Sequence, residues 1–215
     1  IYGAGKWGRY LRAPDFYFEV MQEFGDRFVP LGAIANIRFG VKTGCDAFFM
    51  PHDITAEALI ECPIERDFKR RFGIDRKPVE AGKAKIVKSG DGSVHPVEAE
   101  YLAPEVHNLM KVDQPIIHAS SLKRLVLLVS KPLSDLRGTW VVRYLRYGET
   151  HTFPSKKSRP VPVPQRSTCA TRDPWYDLTK ISRPGLAFWP MAQQYRHIIP
   201  SNPDIVIFKM YLLRH

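Results

Sequence analysis

The sequence predicts an α+β fold, an irregular twisted β-sheet with a few flanking helices, on three observations. Apolar residues recur at helical spacing over 15–24 and 140–148, short apolar runs are separated by Pro, Gly and Asn turns, and strand-like and helix-like stretches do not alternate as a doubly wound sheet requires. A chain of 215 residues that is 44% hydrophobic and 25% charged can bury a core as one domain with or without a satellite, which disfavours disorder, collagen-like repeats and a coiled-coil rod. Two features are unusual. Lys+Arg number 32 against 22 Asp+Glu, a net charge of +10, and 18 prolines exceed the number expected at the usual share of about 5%.

Each element follows from local pattern. Pro14 and Asp15 open a helix in which Tyr17, Val20, Met21 and Phe24 fall at i, i+3, i+4 and i+7, and Gly25 ends it. The loose alternation over 31–39, the Gly-bounded loop 40–44 and the aromatic run 47–50 predict a hairpin with Lys42 and Thr43 at its tip. The basic segment 66–88, punctuated by Gly73, Pro78 and Gly82, is expected to hold strands and loops. Over 101–110 the pattern predicts a short helix with Pro104 in its first turn, where a missing N–H is tolerated. The continuous run 125–129 reads as a buried strand. Next, Trp140, Val141, Tyr144 and Leu145 share one helical face and Arg143 and Arg146 the other, with Gly148 ending the stripe. From 150 to 172 come four prolines, five Lys/Arg and no acid, hence a long exposed cationic loop. Strands are expected at 186–189, 197–199 and 205–208. Trp175 and Trp189, flanked by proline, are expected to anchor loops in the core rather than stack on bases.

Several function classes are disfavoured. No run of about 18 apolar residues is present, so a membrane span is not expected, and the sequence after Ile1 lacks the apolar centre of a signal peptide. The chain is expected to be a piece of a longer one, and its three scattered cysteines, Cys45, Cys62 and Cys169, fit a reducing cytoplasmic setting. Gly3-Ala-Gly5-Lys-Trp-Gly8 spells a dinucleotide-binding G-x-G-x-x-G, but only two residues precede it and Pro14 would interrupt the helix it needs. No histidine pair has metal-ligand spacing, no serine sits in a nucleophile elbow and no acidic cluster resembles a nuclease centre. Asp173-Pro-Trp-Tyr176 looks like the loop with which amino methyltransferases hold a flipped adenine, except that Trp175 replaces the second proline.

The uneven charge is the positive signal. A net charge of +10 can be merely solubilising, yet Lys156, Lys157, Arg159, Arg166 and Arg172 occupy one Pro-stiffened stretch, interleaved with Ser, Thr and Gln. Lys and Arg neutralise phosphates, and Arg, Gln, Ser and Thr also address base edges in the major groove, the composition of a DNA-reading loop. Lys42, Thr43, Lys156, Lys157, Arg159, Arg166 and Arg172 are therefore the candidate DNA-contact residues, with the two lysines of the loop assigned to phosphates and the arginines to bases or phosphates.

Read in order, several stretches resemble the target-recognition region of adenine-specific DNA methyltransferases of the TaqI-like type, found in fused restriction–modification enzymes. They are Lys6-Trp-Gly-Arg-Tyr-Leu-Arg-Ala-Pro-Asp-Phe-Tyr-Phe18, Pro30-Leu-Gly-Ala-Ile-Ala-Asn-Ile-Arg-Phe-Gly-Val-Lys-Thr-Gly44 with Phe48-Phe49, and Tyr101-Leu-Ala-Pro104. Further along come Gly138-Thr-Trp-Val-Val-Arg-Tyr-Leu-Arg-Tyr-Gly-Glu149, Thr168-Cys-Ala-Thr-Arg-Asp-Pro-Trp-Tyr-Asp-Leu178 and Phe188-Trp-Pro190. The resemblance implies a DNA methylase specificity-domain-like fold over 30–215, preceded by a connector over 1–29 from a missing N-terminal methyltransferase domain. It also implies double-stranded DNA as partner, S-adenosylmethionine as cofactor of the parent enzyme and no cofactor or catalytic residue in this fragment. Asp173-Pro-Trp-Tyr176 is then structural. Two rivals share features: a specificity subunit docking on a separate modification subunit, and a degenerate S-adenosylmethionine-dependent methyltransferase using Asp173 and Tyr176.

Overall fold

A computed structural model of the chain describes residues 13–153, 160–190 and 198–208, and the chain divides into two compact units after Phe39. Gly3, Gly5 and Gly8, Lys156, Lys157 and Arg159, and His197 lie outside the described residues.

In the first unit the helical spacing forms the expected helix, α1 (Asp15–Phe24), with Pro14 as N-cap. A single turn, α2 (Leu31–Ile34), then takes the place of the strand predicted for 31–39. Pro30 starts this turn, its carbonyl accepting from Ala33 N at 2.8 Å, and the following Ile37 and Phe39 are exposed, so no second strand backs the alternation.

The second unit is a mixed α+β structure built on small sheets. Strands β1 (His52–Asp53), β2 (Ala84–Lys88) and β3 (Val94–Glu98) form an antiparallel sheet in that order, with Ile86 opposite Pro96. A second sheet has the order β5 (Leu125–Leu127), β4 (Leu102–Val106), β8 (Ile207–Phe208), antiparallel on one side and parallel on the other. Strands β6 (Thr152–Phe153) and β7 (Val161–Pro162) make a two-stranded ribbon.

Helices α3 (Asp46–Phe49), α4 (Thr55–Glu61), α5 (Glu65–Phe72), α6 (Arg76–Glu80), α7 (Trp140–Thr150) and α8 (Ser167–Ala170) complete the described α-helices, and short 3-10 turns link several of the elements. The segment 66–88 is thus helical over 66–72 and 76–80, and the expected strand and loops are present only around Gly73 and Gly82 and at its end, as β2. Phe68 and Phe72, one turn apart, are buried beneath a charged outer face, and Gly73 at φ +70° closes α5 as a left-handed cap. The run 47–50 is also helical instead of extended. Phe48, Phe49 and Met50 are all fully buried, and a short apolar run of that kind carries no period to separate strand from helix.

Over 101–110 the predicted helix is β4. Pro104 is accommodated because it pairs with Leu125 on one side, while β8 begins its pairing only at Glu105 on the other. The expected strand at 125–129 is present as β5 and is wholly buried. Helix α7 also matches expectation except at its end, since Gly148 lies inside it and the helix continues to Thr150. Of the last strands, β8 forms within 205–208, whereas 186–189 contributes only an isolated bridge between Ala187 and Ser201. Trp175 packs against the core, but Trp189 is 57% exposed, contrary to its predicted anchoring role.

The main core joins α3, β5, α7, Phe153, Tyr176 and Leu178. Phe48 is its centre, stacked on Tyr144 at 4.6 Å and edge-on to Phe49 at 5.0 Å. A second cluster packs α4, α5 and α6 beneath Ile86, and a third gathers Val106, Leu109, Ile117, Phe188 and Val206. Among the described residues, no helix is long and apolar enough to cross a membrane.

Candidate functional site

Four of the sequence-predicted contact residues, Lys42, Thr43, Arg166 and Arg172, come together around the loop that leads into α3. The loop is tightly built. Thr43 is only 1% exposed, its hydroxyl donating to Asp46 Oδ1 at 2.5 Å and accepting from Cys45 N at 3.1 Å. Gly44 has φ +87°, and a Cβ there would lie 2.9 Å from both Cys169 Sγ and Thr168 Cβ, so only glycine fits. Arg166 reaches in from the segment after β7, donating to the carbonyls of Phe153 at 2.7 Å and Gly44 at 3.3 Å. Arg172 donates to the Thr43 carbonyl, approaches Cys169 Sγ at 2.9 Å and stacks over the Phe49 ring at 5.1 Å.

The predicted hairpin tip and exposed cationic loop are corrected accordingly. Lys42 is exposed, but Thr43 points inward, and Arg166 and Arg172 turn toward backbone carbonyls because the described part of 150–172 packs on the core through Phe153, Val163 and Cys169. Replacing Arg172 by Ala strips the Thr43 carbonyl of a partner and is expected to lower stability by about 1–3 kcal/mol. Lys42→Ala, an exposed change, should stay within about 0.5 kcal/mol. Urea unfolding of the two variants checks this; equal midpoints would remove the structural role of Arg172. Burial pushes the neighbouring Cys45 thiol up to about 11 and also raises Cys169 against the pull of Arg172, which disfavours the reactive thiolate form of both.

Two polar clusters lie beyond these residues. At the turn between β2 and β3, Asp91 accepts from Ser93 Oγ at 2.8 Å and from the Tyr147 hydroxyl, and its Oδ2 lies 3.0 Å from His151 Nε2. His95 Nε2 is 3.0 Å from Ser93 Oγ, and its ring meets Tyr147 at 4.5 Å. Burial would raise Asp91, but the hydrogen bonds from Tyr147 and Ser93 hold its carboxyl below the ordinary value, while burial and the bond to Asp91 push Tyr147 up to about 12. Serine here donates to the carboxylate instead of to a histidine, so the order of a nucleophilic triad is not met. The second cluster surrounds Glu105, whose side chain is fully buried, 3.1 Å from His107 Nδ1 and 3.7 Å from Arg124 Nε. His52, bridged to Arg124 across the strands, is held below the usual histidine value by burial and by Arg124 and His107. Sequence reasoning missed both clusters, because the short-range groupings Asp91/Ser93/His95 and Glu105/His107 carry no distinctive motif and strand pairing and α7 bring in the remaining members.

Among the described residues, no group of three or more His, Cys, Asp or Glu could hold a metal ion. Asp173-Pro-Trp-Tyr176 is absorbed by the fold. Tyr176 is 1% exposed and donates to the Lys131 carbonyl at 2.9 Å, and Trp175 Nε1 donates to Glu149 at 3.3 Å, so neither ring is free to stack on an extruded base.

No family model, curated protein or solved structure matches this chain. The surface charge therefore bears the functional weight. Acids pair with Arg71, Arg76, Lys69 and Lys85, at 2.9, 2.6, 2.9 and 2.5 Å. By contrast, Lys42, Lys88, Arg137, Arg143, Arg146 and Arg183 are exposed and have neither an ion pair nor a side-chain hydrogen bond among the described residues. Among the described residues Lys+Arg number 23 against 22 Asp+Glu, so nine of the ten surplus charges fall outside them, on 1–12, 154–159, 191–197 and 209–215.

Proposed function

We propose that the chain binds double-stranded DNA sequence-specifically, as the specificity part of an adenine-N6 DNA methyltransferase of a restriction–modification system. In this reading the second unit is a DNA methylase specificity-domain-like fold, S-adenosylmethionine and the catalytic residues belong to a methyltransferase domain with which it acts, and the setting is cytoplasmic. The single observation that carries it is the set of exposed Lys and Arg side chains on the α+β unit that have neither an ion pair nor a side-chain hydrogen bond among the described residues, in a chain whose sequence has a surplus of ten positive charges. A polyanion is the partner such a surface attracts, through neutralisation of phosphates and release of their counterions. The sequence likeness to target-recognition regions adds the duplex and its methylation. Arg166 and Arg172, in this reading, support the recognition surface by fixing the loop beside Lys42, and Lys156, Lys157 and Arg159 remain proposed contacts.

Fluorescence anisotropy with a labelled random duplex across salt concentrations tests it. With about six phosphates neutralised, log K should fall against log [salt] with a slope near −5. A flat response would overturn the reading.

A further inference from the structure

We infer that the solvent face of α7, carrying Arg143 and Arg146, is a phosphate-contacting surface for duplex DNA. The inference rests on the proposed function and assigns it to a face that the pattern of proline and charge in 150–172 does not single out.

The helix is amphipathic in the strict sense. Val141, Val142, Tyr144, Leu145 and Gly148 are buried, while Arg143, Arg146 and Thr150 are exposed and, at 3.6 residues per turn, share the opposite face. Glu149, the one acid in the helix, is partly buried on the flank and engaged by Trp175. The outward face therefore holds two guanidinium groups that make no ion pair among the described residues, and Asp91, the acid that reaches the helix at Tyr147, is engaged by Tyr147, Ser93 and His151. No large apolar side chain of α7 is exposed, so the apolar anchors that protein partners usually grip are missing, and a cationic polar face of this kind matches a phosphate backbone.

The mounting is rigid. The Glu98 carboxylate accepts from Trp140 N at 2.7 Å and Val141 N at 2.8 Å, and the Thr139 side chain caps Val142 N at 3.3 Å. Further along, the Tyr144 hydroxyl donates to the Phe48 carbonyl at 2.6 Å, and Gly148 lies so close that a Cβ would meet the Phe48 ring at 2.6 Å. A backbone held at both ends fixes where the two guanidinium groups originate, about 4.5 Å apart along the helix axis, comparable with the advance of about 3.4 Å between successive phosphates on one strand. The order lost on binding is then confined to the arginine side chains. The face is a helix of three turns, a shape that the major groove of B-form DNA admits and the deep, narrow one of A-form RNA does not.

The test compares the wild-type chain, the Arg143→Ala/Arg146→Ala variant and a Lys77→Ala/Lys83→Ala control of equal charge loss, all verified as folded by circular dichroism, against the same random duplex. The arginine variant should lose about two units of salt slope and bind roughly 10–100-fold more weakly at 0.1 M salt, with the control much closer to wild type. A steep wild-type slope left unchanged in the arginine variant, or lowered equally in the control, would overturn the assignment of this face and leave DNA binding standing. A flat wild-type response would remove both. Displacement of the labelled DNA by duplex RNA or by polyglutamate as readily as by unlabelled DNA would overturn the choice of partner.

Discussion

Replacing Phe48 by Ala is expected to lower the stability of the second unit by about 3–5 kcal/mol. The ring is 0% exposed and touches four aromatic neighbours: Tyr144 stacked at 4.6 Å, Phe49 at 5.0 Å, Trp175 at 5.7 Å and Phe153 at 5.8 Å. These neighbours come from four separate parts of the chain, and each is held by further packing or hydrogen bonds. Tyr144 is fixed by its hydroxyl on the Phe48 carbonyl, and Trp175 by Glu149. The cavity left by alanine therefore has little freedom to collapse, which places the loss toward the upper part of the range. Alanine's better helix propensity in the single turn of α3 returns only a fraction of a kcal/mol. Urea denaturation followed by tryptophan fluorescence reads the difference, and a loss under 1 kcal/mol would mean that this ring does not organise the core.

The second large effect is expected at Glu105, a carboxylate with no solvent exposure placed between Arg124 and His107. Glu105→Ala removes the acid and leaves Arg124, whose side chain is 23% exposed, without its counter-charge. Breaking a buried pair from one side usually destabilises by about 3–5 kcal/mol, because the remaining charge keeps its desolvation penalty. Arg124 retains one hydrogen bond, from Nη2 to the Met50 carbonyl at 3.0 Å, which limits its relaxation into solvent. Glu105→Gln preserves the shape and one acceptor and should fall between wild type and alanine. Replacing both residues, Glu105→Leu with Arg124→Met, should recover much of the loss, and a double variant no better than Glu105→Ala in urea unfolding would refute the charge argument.

The long amphipathic helices were legible because their signal is local. In α1 and α7 the apolar spacing is sustained over several turns, and α7 buries Val141, Tyr144 and Leu145 of its stripe, with Trp140 half-buried. Of the shorter elements, β5 was read correctly and α3 was not, since both are continuous apolar runs and only their partners distinguish them. Gly73 and Gly148 illustrate the same limit. Gly73 read as a break among strands and loops and Gly148 as a helix end, yet Gly73 caps α5 with a positive φ, whereas Gly148 is a close-packing position inside α7, chosen by a ring that comes from α3. At the candidate site, composition located Arg166 and Arg172 as cations in a proline-rich stretch but carried no information on where a guanidinium points. Their partners are main-chain carbonyls, which every residue has and no sequence marks. Arg143 and Arg146 were legible as the polar side of a helix, while the lack of an ion pair to either among the described residues emerges only in three dimensions.

The carbonyls of Gly44 and Thr43 are closed by guanidinium groups 122 and 129 positions further along the chain. Closure over such a distance carries an entropy penalty before any contact rewards it, so the latch forms late in folding. As the chain leaves the ribosome, the apolar ledge of Phe48, Phe49 and Met50 is made early and is covered only in stages, first by Tyr144 and Phe153 and then by Trp175 and Arg172. In that interval the nascent protein offers sticky, chaperone-attracting surface, and the two arginines act as the clasp that ends it.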